Sequence, residues 1–500
     1  VNDFSQTPYS ASGLSRRGAL RGIAVALGGA GWGLTAAGPA LASTPDNTPS
    51  PLAYATVRNG PLWHDTAGRV IQAHAGHIVR HDGVYYWYGE DKAHDSARFR
   101  AVSCYSSTDL VNWTFVRNVL DTSSHAELAD AKIERPKVIR HAASGTFVLW
   151  GHYERGADYA LGRVAVATSS TPTGPFAYRG SFRPLEQESR DMTVYVDRDG
   201  TGYLLSASRR TGGANDTLVL FRLTDDYLGV AEEVIELWPG AYREAPAFFR
   251  HGDTYYLITS GASGWMPNQA MYATAPAITG PWSDLVPLGD AATFASQSAF
   301  VLTVGLDTWA RHVLVADRWR PDALGQSRNL WLPLDVGADG GLRLDWRNSF
   351  GVDAGAARVD APPVTNIAQG RPATASSATS ANPAGLANDG SYTTRWIAGS
   401  SSWPAWWGTD LGSSRHVSEV NISWPMVKGS EGYYRYRILH GDNASDWTTI
   451  DRTGNTQYGF THDAVDFTAR HVRIELVDAV LHNNPGNWYT PSLFHVDLRP

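Results

Sequence analysis

The feature that most constrains this chain is a repeat. A glycine-turned aromatic hairpin comes back roughly every 50 to 60 residues. Gly83 precedes Val84-Tyr85-Tyr86-Trp87, Gly145 precedes Thr146-Phe147-Val148-Leu149-Trp150, Gly200 precedes Thr201-Gly202-Tyr203-Leu204-Leu205, and Gly252 precedes Asp253-Thr254-Tyr255-Tyr256-Leu257. A degenerate fifth copy runs from Asp307 to Leu314. Short aromatic strands and Gly turns at this period predict one four-stranded blade per repeat. The expected fold is therefore all-β, with a five-bladed β-propeller.

About ten residues ahead of each turn, one polar residue interrupts a strand-like run: His74, Glu134, Asp191, Glu244 and Gln297. Equivalent places on the innermost strands of a propeller converge on its axis, so these five side chains are expected to share one pocket. Any one of them alone reads equally well as a capped or ion-paired strand residue. Their common phase is what argues for a site. The most telling stretch is Tyr242-Arg243-Glu244-Ala245-Pro246-Ala247-Phe248-Phe249, where a carboxylate enters an apolar wall. Such burial raises a carboxyl pKa and suits a general acid. Several carboxylates in one small site push their pKa values apart, as hydrolytic acid and base roles need. Glu90 closes a buried aromatic strand; it reads either as a site residue or as a partner for Lys92 or Arg98.

Five hundred residues exceed one ordinary core, so at least two domains are expected. Residues 56–353 hold the repeats, with the pattern running on from Pro333 to Asp353 as the last strand that closes the ring; 354–365 with Pro362 and Pro363 read as a linker, and 366–500 change to short strands with Ser- and Asn-rich loops, enough for one β-sandwich. Ahead of the repeats, Ser15-Arg16-Arg17, an apolar run from Gly22 to Ala37 and Ala40-Leu41-Ala42 predict a twin-arginine signal peptide over 1–42, followed by a linker over 43–55. The mature protein is expected to be secreted or periplasmic, monomeric and without a membrane span. Nineteen Trp and 22 Tyr against 18% charged residues suit a surface on which sugar rings stack, although most of these rings serve as sheet filler. A net charge of −7 argues against nucleic acid as a partner. The lone Cys104 excludes an intramolecular disulfide.

Gln72-Ala73-His74, Tyr86 to Lys92, Val102 to Trp113, Glu134-Arg135-Pro136-Lys137-Val138, Gly180 to Leu185, Ser189-Arg190-Asp191-Met192, Arg243-Glu244-Ala245-Pro246, Thr259 to Trp265 and Ser296-Gln297-Ser298 follow one another in an order that resembles the exo-β-1,3-galactanases of glycoside hydrolase family 43. The resemblance covers about residues 60 to 335. It implies an inverting enzyme that needs no cofactor and releases galactose from the non-reducing end of β-1,3-galactan, the backbone of arabinogalactan. By position, Glu244 resembles the general acid and Glu134 the carboxylate that orients it and tunes its pKa. Most of the family places an Asp base on blade one, which has no carboxylate at that place here. In the galactanase branch a Gln from blade five takes the base position, and Gln297 matches it, either positioning water or acting as its imidic tautomer. Glu90, Asp191, Tyr159, His74 and Trp265 fall at substrate-binding positions. Ala75-Gly76-His77 departs from the pattern, and a His77 near the channel keeps arabinofuranosidase and galactofuranosidase specificities open, with a non-catalytic glycan-binding protein as a further alternative.

In an inverting hydrolase the acid and the group serving the water stand roughly 6.5 to 9.5 Å apart, so Glu244 and Gln297 are expected to face each other across the channel. The C-terminal stretches Asn366 to Ser377, Asn388-Asp389-Gly390, Thr393 to Trp396, Trp407 to Gly412 and Val472-Arg473-Ile474 resemble the discoidin or coagulation-factor type C domain, which includes family 32 carbohydrate-binding modules. That resemblance implies a jelly-roll sandwich, often with a structural calcium. Trp396 and Trp407 are expected in its core, and Trp403 and Trp406 are candidates for stacking on sugar.

Overall fold

In the computed structural model the described residues are 54–500 apart from 157, 306–310, 426–431 and 482–489. The signal peptide, most of the first linker and the Asp307 turn lie outside them. Among the described residues there is no α-helix, and no helix long and apolar enough to cross a membrane.

After β1 (Ala55–Arg58), each aromatic repeat folds as a meander. The first sheet is β2 (His74–His81), β3 (Val84–Glu90), β4 (Ala101–Ser107) and β5 (Thr114–Asp121). The second is β6 (Ala131–Arg140), β7 (Phe147–Arg155), β8 (Arg163–Ser169) and β9 (Ala177–Phe182). The third is β10 (Met192–Val196), β11 (Gly202–Ser208), β12 (Thr217–Leu223) and β13 (Val230–Leu237). The fourth is β14 (Arg243–His251), β15 (Thr254–Gly261), β16 (Ala270–Ala275) and β17 (Val286–Leu288). The fifth is β18 (Gln297–Val304), β19 (Arg311–Arg318), β20 (Arg328–Val336) and β21 (Leu342–Leu344). The β2–β3 turn shows why Gly marks the repeat: Asp82 and Gly83 both sit at positive φ, +49° and +80°, the backbone of a two-residue hairpin whose twist matches its strands.

The sheets form a ring because each buries both faces. Tyr88 and Cys104 pack on Ile133 and Leu149, Trp150 on Met192 and Leu204, Leu205 and Leu220 on Phe248 and Leu257, and Phe249 and Tyr256 on Leu314 and Leu332. Trp87, with Trp331 of the fifth sheet, returns the core to the first. The leading strands β2, β6, β10, β14 and β18 touch in that order around the axis, and β18 meets β2.

Two sequence expectations are corrected. The segment ending at Asp353 was expected to close the ring, but the fifth sheet completes itself with β20 and β21. Instead β22 (Ser349–Asp353) pairs with β1 and with β23 (Arg358–Asp360) in a separate three-stranded sheet. The cause is apolar: Val57, Phe350 and Val352 cover the seam between the fifth and first sheets. For the same reason 354–365 is not a plain linker, since β23 lies inside it.

The remaining strands are β24 (Ala373–Ala375), β25 (Trp396–Ile397), β26 (Ala405–Ser423), β27 (Gly432–Asn443), β28 (Asp446–Arg452), β29 (Phe460–Leu481), β30 (Ser492–Leu493) and β31 (His495–Arg499). They build a C-terminal β-sandwich in which Trp396 and Trp407 are fully buried, as expected. Its core is separate, yet it also shares one with the ring. Phe460 sits edge-on to Phe294 (5.0 Å between centroids) and against Trp346 (4.9 Å), Tyr392 meets Phe294 (5.7 Å), and Arg499 Nη2 donates to the Trp346 carbonyl (2.9 Å). Phe460→Ala should therefore cost about 3 kcal/mol, the usual loss for a buried Phe, with the deficit read as a lower denaturation midpoint and faster proteolysis between the two modules. An unchanged midpoint would show that this core does not join them.

Candidate active site

Three leading strands carry the same irregularity in the same place. After His74, Glu134 and Glu244, the residues Ala75, Arg135 and Ala245 stand at φ +47°, +53° and +51°. Strand pairing slips there, between His74 and His77, Glu134 and Lys137, and Glu244 and Ala247. β18 slips between Ser298 and Phe300. A bulge of this kind bends the strand and re-aims a side chain. Each left-handed residue is held by a carboxylate from elsewhere in the ring: Ala75 N–H donates to Asp317 Oδ2 (2.7 Å), Arg135 N–H to Glu90 Oε1 (2.9 Å) and Ala245 N–H to Asp191 Oδ2 (3.2 Å).

At this end of the axis lies a cavity of about 410 Å³, lined by Glu90, Glu134, Asp191, Glu244 and Gln297 with Arg135, His152, Tyr159, Asn215, Trp265 and Trp319. Glu244 is buried. Its Oε1 accepts from Gln297 Nε2 (3.0 Å) and its Oε2 from Asn215 Nδ2 (2.9 Å). Burial, and then the charge of Asp191, push its carboxyl up to about 8, against the pull of Arg135 and the two amides. Glu134 is driven the other way. Burial opposes its charge, but the hydrogen bond and charge of His152 (3.2 Å), with Lys92 and the Tyr159 hydroxyl (2.7 Å), hold it at about 2. His152 in turn overcomes its burial through Glu134 and Glu154 and rises to about 9. One cavity thus holds a carboxylic acid and a carboxylate side by side at neutral pH, the division of labour that acid catalysis requires.

Arg135 crosses the axis. Its Nε pairs with Asp191 Oδ2 (2.7 Å), Nη1 donates to the Ser298 carbonyl (2.9 Å) and Nη2 to Gln297 Oε1 (2.7 Å). Trp319 Nε1 also donates to Gln297 Oε1 (3.1 Å), while Gln297 Nε2 donates to Ser260 Oγ (3.0 Å) as well as to Glu244. Two donors at one end of the amide and two acceptors at the other define its orientation.

Oxygen and nitrogen atoms of Glu134, His152 and Asp191 gather within 4.8 Å, a spacing that a metal ion could bridge. Each charge there already has a counter-ion in the protein, His152 between Glu134 and Glu154, and Arg135 on Asp191. Among the described residues no other such group of His, Cys, Asp and Glu side chains gathers.

Residues 70–288 match the model of glycosyl hydrolases family 43, and residues 386–474 match the NedA-like, galactose-binding domain of F5/F8 type C. Among solved structures, the exo-β-1,3-galactanase of Phanerochaete chrysosporium, solved with β-1,3-galactotriose, is 29% identical over 89% of this chain and 100% of its own (TM-score 0.64). That of Clostridium thermocellum is 30% identical over 89% of this chain and 99% of its own (TM-score 0.59). A family 43 β-1,3-galactosidase solved with galactodeoxynojirimycin is 34% identical over 58% of this chain and 99% of its own (TM-score 0.54). The chain belongs to glycoside hydrolase family 43. No curated protein matches it.

In this glycoside hydrolase the structure brings Glu90, Glu134, Asp191, Glu244, Gln297, Tyr159 and Trp265 to one cavity. It does not bring His74 there: the ring is fully buried, its Nδ1 bonded to Asp317 (2.9 Å), beside Trp319. His77 lines a different cavity of about 580 Å³ that shares no lining residue with the first, and so cannot select the sugar directly. Glu244 and Gln297 do not face each other across a gap, because neighbouring strands put them in hydrogen-bond contact. In the sandwich, Trp403 is half-buried against the core, and the Trp406 face is stacked at 4.0 Å under the Arg473 guanidinium.

Sequence reasoning missed Arg135, His152, Asn215, Ser260, Asp317 and Trp319. Three of these were within reach of register: His152, Ser260 and Asp317 pair with Glu134, Glu244 and Gln297 as Glu90, which was picked out, pairs with His74. Arg135 stands before Pro136 just as Ala245 stands before Pro246.

The charge of Asp191 helps keep Glu244 protonated, so Asp191→Asn should lower the Glu244 pKa, by about one unit for a neighbouring charge. The freed Arg135 acts in the same direction. Carboxyl titration by NMR, together with an earlier fall of activity on the alkaline side, would show it; a Glu244 pKa that stays near 8 would mean burial acts alone.

Proposed function

We propose that this enzyme is an exo-acting hydrolase that releases galactose from the non-reducing end of β-1,3-galactan, with the ring of sheets working as a five-bladed propeller. The observation that carries this reading is Glu244: a buried carboxyl held protonated to about pH 8, beside Glu134 held ionised. Exo action is supported by the separation of the catalytic cavity from the cavity at the other end of the axis. The sugar is supported by the similar enzymes, which are exo-β-1,3-galactanases with galactose or β-1,3-galactotriose bound.

In this reading Glu244 gives its proton to the glycosidic oxygen as the bond from that oxygen to the anomeric carbon breaks. A water adds to that carbon from the opposite face, and the proton this water sheds passes to solvent, from which Glu244 is reprotonated. The carboxylate left behind is met by the Asn215 and Gln297 amide N–H groups, already within 3.0 Å. These donors favour the charged form and so assist proton departure. Glu134, fixed by His152 and Tyr159, sets the local potential. Gln297, with both ends of its amide engaged, positions groups and takes no proton in this arrangement; a neutral amide is a poor base. Glu90 and Asp191 accept from sugar hydroxyls, and Trp265 lies along the sugar ring. The twin-arginine segment supports action outside the cytoplasm on arabinogalactan.

Wild-type enzyme should release galactose from β-1,3-galactobiose and leave p-nitrophenyl arabinofuranoside intact. Glu244→Gln should lose roughly 10²- to 10⁴-fold in kcat, the range of general acid contributions, with an unchanged circular dichroism spectrum. Arabinose release without galactose would reassign the sugar, and full activity in the Gln variant would remove Glu244 from the acid role.

A further inference from the structure

The catalytic cavity does not end at Trp265 and Trp319. These two rings meet edge to face at 5.2 Å, and beyond them opens a groove of about 640 Å³ that shares Gly264, Trp265, Gln297 and Trp319 with the first cavity. Its far wall belongs to the other module: Tyr433, Thr456, Gln457 and Tyr458 of the sandwich. Arg320, Asp322 and Arg328 of the ring stand on the near side.

That far wall is fixed in place. Tyr433 and Tyr458 form a β-bridge and lie 5.8 Å apart between ring centroids. Asn455 Nδ2 donates to the Tyr434 carbonyl (2.9 Å) and Gln457 Nε2 to the Phe460 carbonyl (2.5 Å), and Phe460 is buried in the core shared with the ring. Both walls are therefore parts of one packed body. A groove with aromatic faces, charged side chains and an amide along it has the chemistry that a sugar chain needs: rings for its C–H faces, polar groups for its hydroxyls.

We propose that the groove holds the leaving-group side of the substrate, the galactan chain beyond the scissile bond, with Tyr433 and Tyr458 of the sandwich binding sugars further along it. The inference rests on the exo-galactanase reading and deepens it. Its occupant follows from continuity: a terminal sugar beside Glu244 in the smaller cavity must send the rest of its chain outward, and the groove opens from that cavity past Gln297 and Trp265. The sandwich is then part of the substrate-binding surface as well as an attached module.

The test compares kcat/KM on a longer β-1,3-linked galacto-oligosaccharide with kcat/KM on β-1,3-galactobiose, for wild type, Tyr433→Ala, Tyr458→Ala and the corresponding Phe variants. The ratio of the two values cancels the concentration of active enzyme, so partial misfolding of a variant does not disturb it. Wild type should favour the longer substrate. The ratio should fall about tenfold in at least one Ala variant, the size of effect an aromatic anchor carries, and stay near wild type in its Phe counterpart. A wild-type ratio of one, or a ratio unchanged in both Ala variants, overturns this proposal while leaving the exo-galactanase reading intact. No galactose from either substrate with wild type overturns both.

Discussion

Three backbone N–H groups, each caught by a carboxylate from elsewhere in the ring, are what the active end of this protein depends on. Ala75, Arg135 and Ala245 occupy left-handed backbone that costs a non-glycine residue about 1–2 kcal/mol. A hydrogen bond to a charged acceptor contributes about 1.5–3 kcal/mol, enough to offset that cost. Asp317, Glu90 and Asp191 supply the acceptors. The acidic residues of the cavity therefore do two things at once: they set the potential at the site, and they hold the bulges that turn His74, Glu134 and Glu244 away from regular strand directions. This double duty explains why so much charge is tolerated inside an otherwise apolar ring.

A buried guanidinium completes the arrangement. Arg135 sits on the second sheet, takes its backbone acceptor from the first, pairs with Asp191 ahead of the third and reaches Ser298 and Gln297 of the fifth. A buried cation is costly unless its partners are well placed, and here every direction is answered. Arg135 pulls the Glu244 pKa down while burial and Asp191 push it up, and the net result is a proton retained near pH 8. Moving any one of these groups changes the pH at which Glu244 gives up its proton.

The repeat and the common phase of Glu134, Asp191, Glu244 and Gln297 were legible in the sequence, because period and polarity are local properties. The pairing partners were less so. His152, Ser260 and Asp317 are set by strand register, and bulges shift register by an amount that no hydrophobic pattern announces. Trp319 and Asn215 come from the ends of strands and from loops, where side-chain direction depends on tertiary packing. The failed expectations have the same origin. His74 shares the phase of the slot, but Asp317 draws its ring beneath the cavity, and the Ser349–Asp353 strand looks like a continuation of the fifth repeat until its apolar side finds Val57 and the seam beside Trp331.

Three consecutive residues at the end of β19 tie the chemistry to the domain boundary. Asp317 holds His74 and the Ala75 bulge; Arg318 lies 5.1 Å over the Trp346 ring and donates to the Phe294 carbonyl (2.6 Å), both in the core shared with the sandwich; Trp319 holds Gln297 and abuts Trp265. Arg318 is buried; burial and the nearby Arg328 lower its pKa to about 9 while the charge of Asp290 raises it, and the charged guanidinium lies beside the Trp346 ring and the Phe294 carbonyl. Those groups are completed by Phe460 from the sandwich, which packs on Trp346 and Phe294. Without that ring, water would reach the guanidinium, and the strand end that carries Trp319 would lose its backing. The sandwich is in this sense part of the scaffold that holds the Gln297 amide.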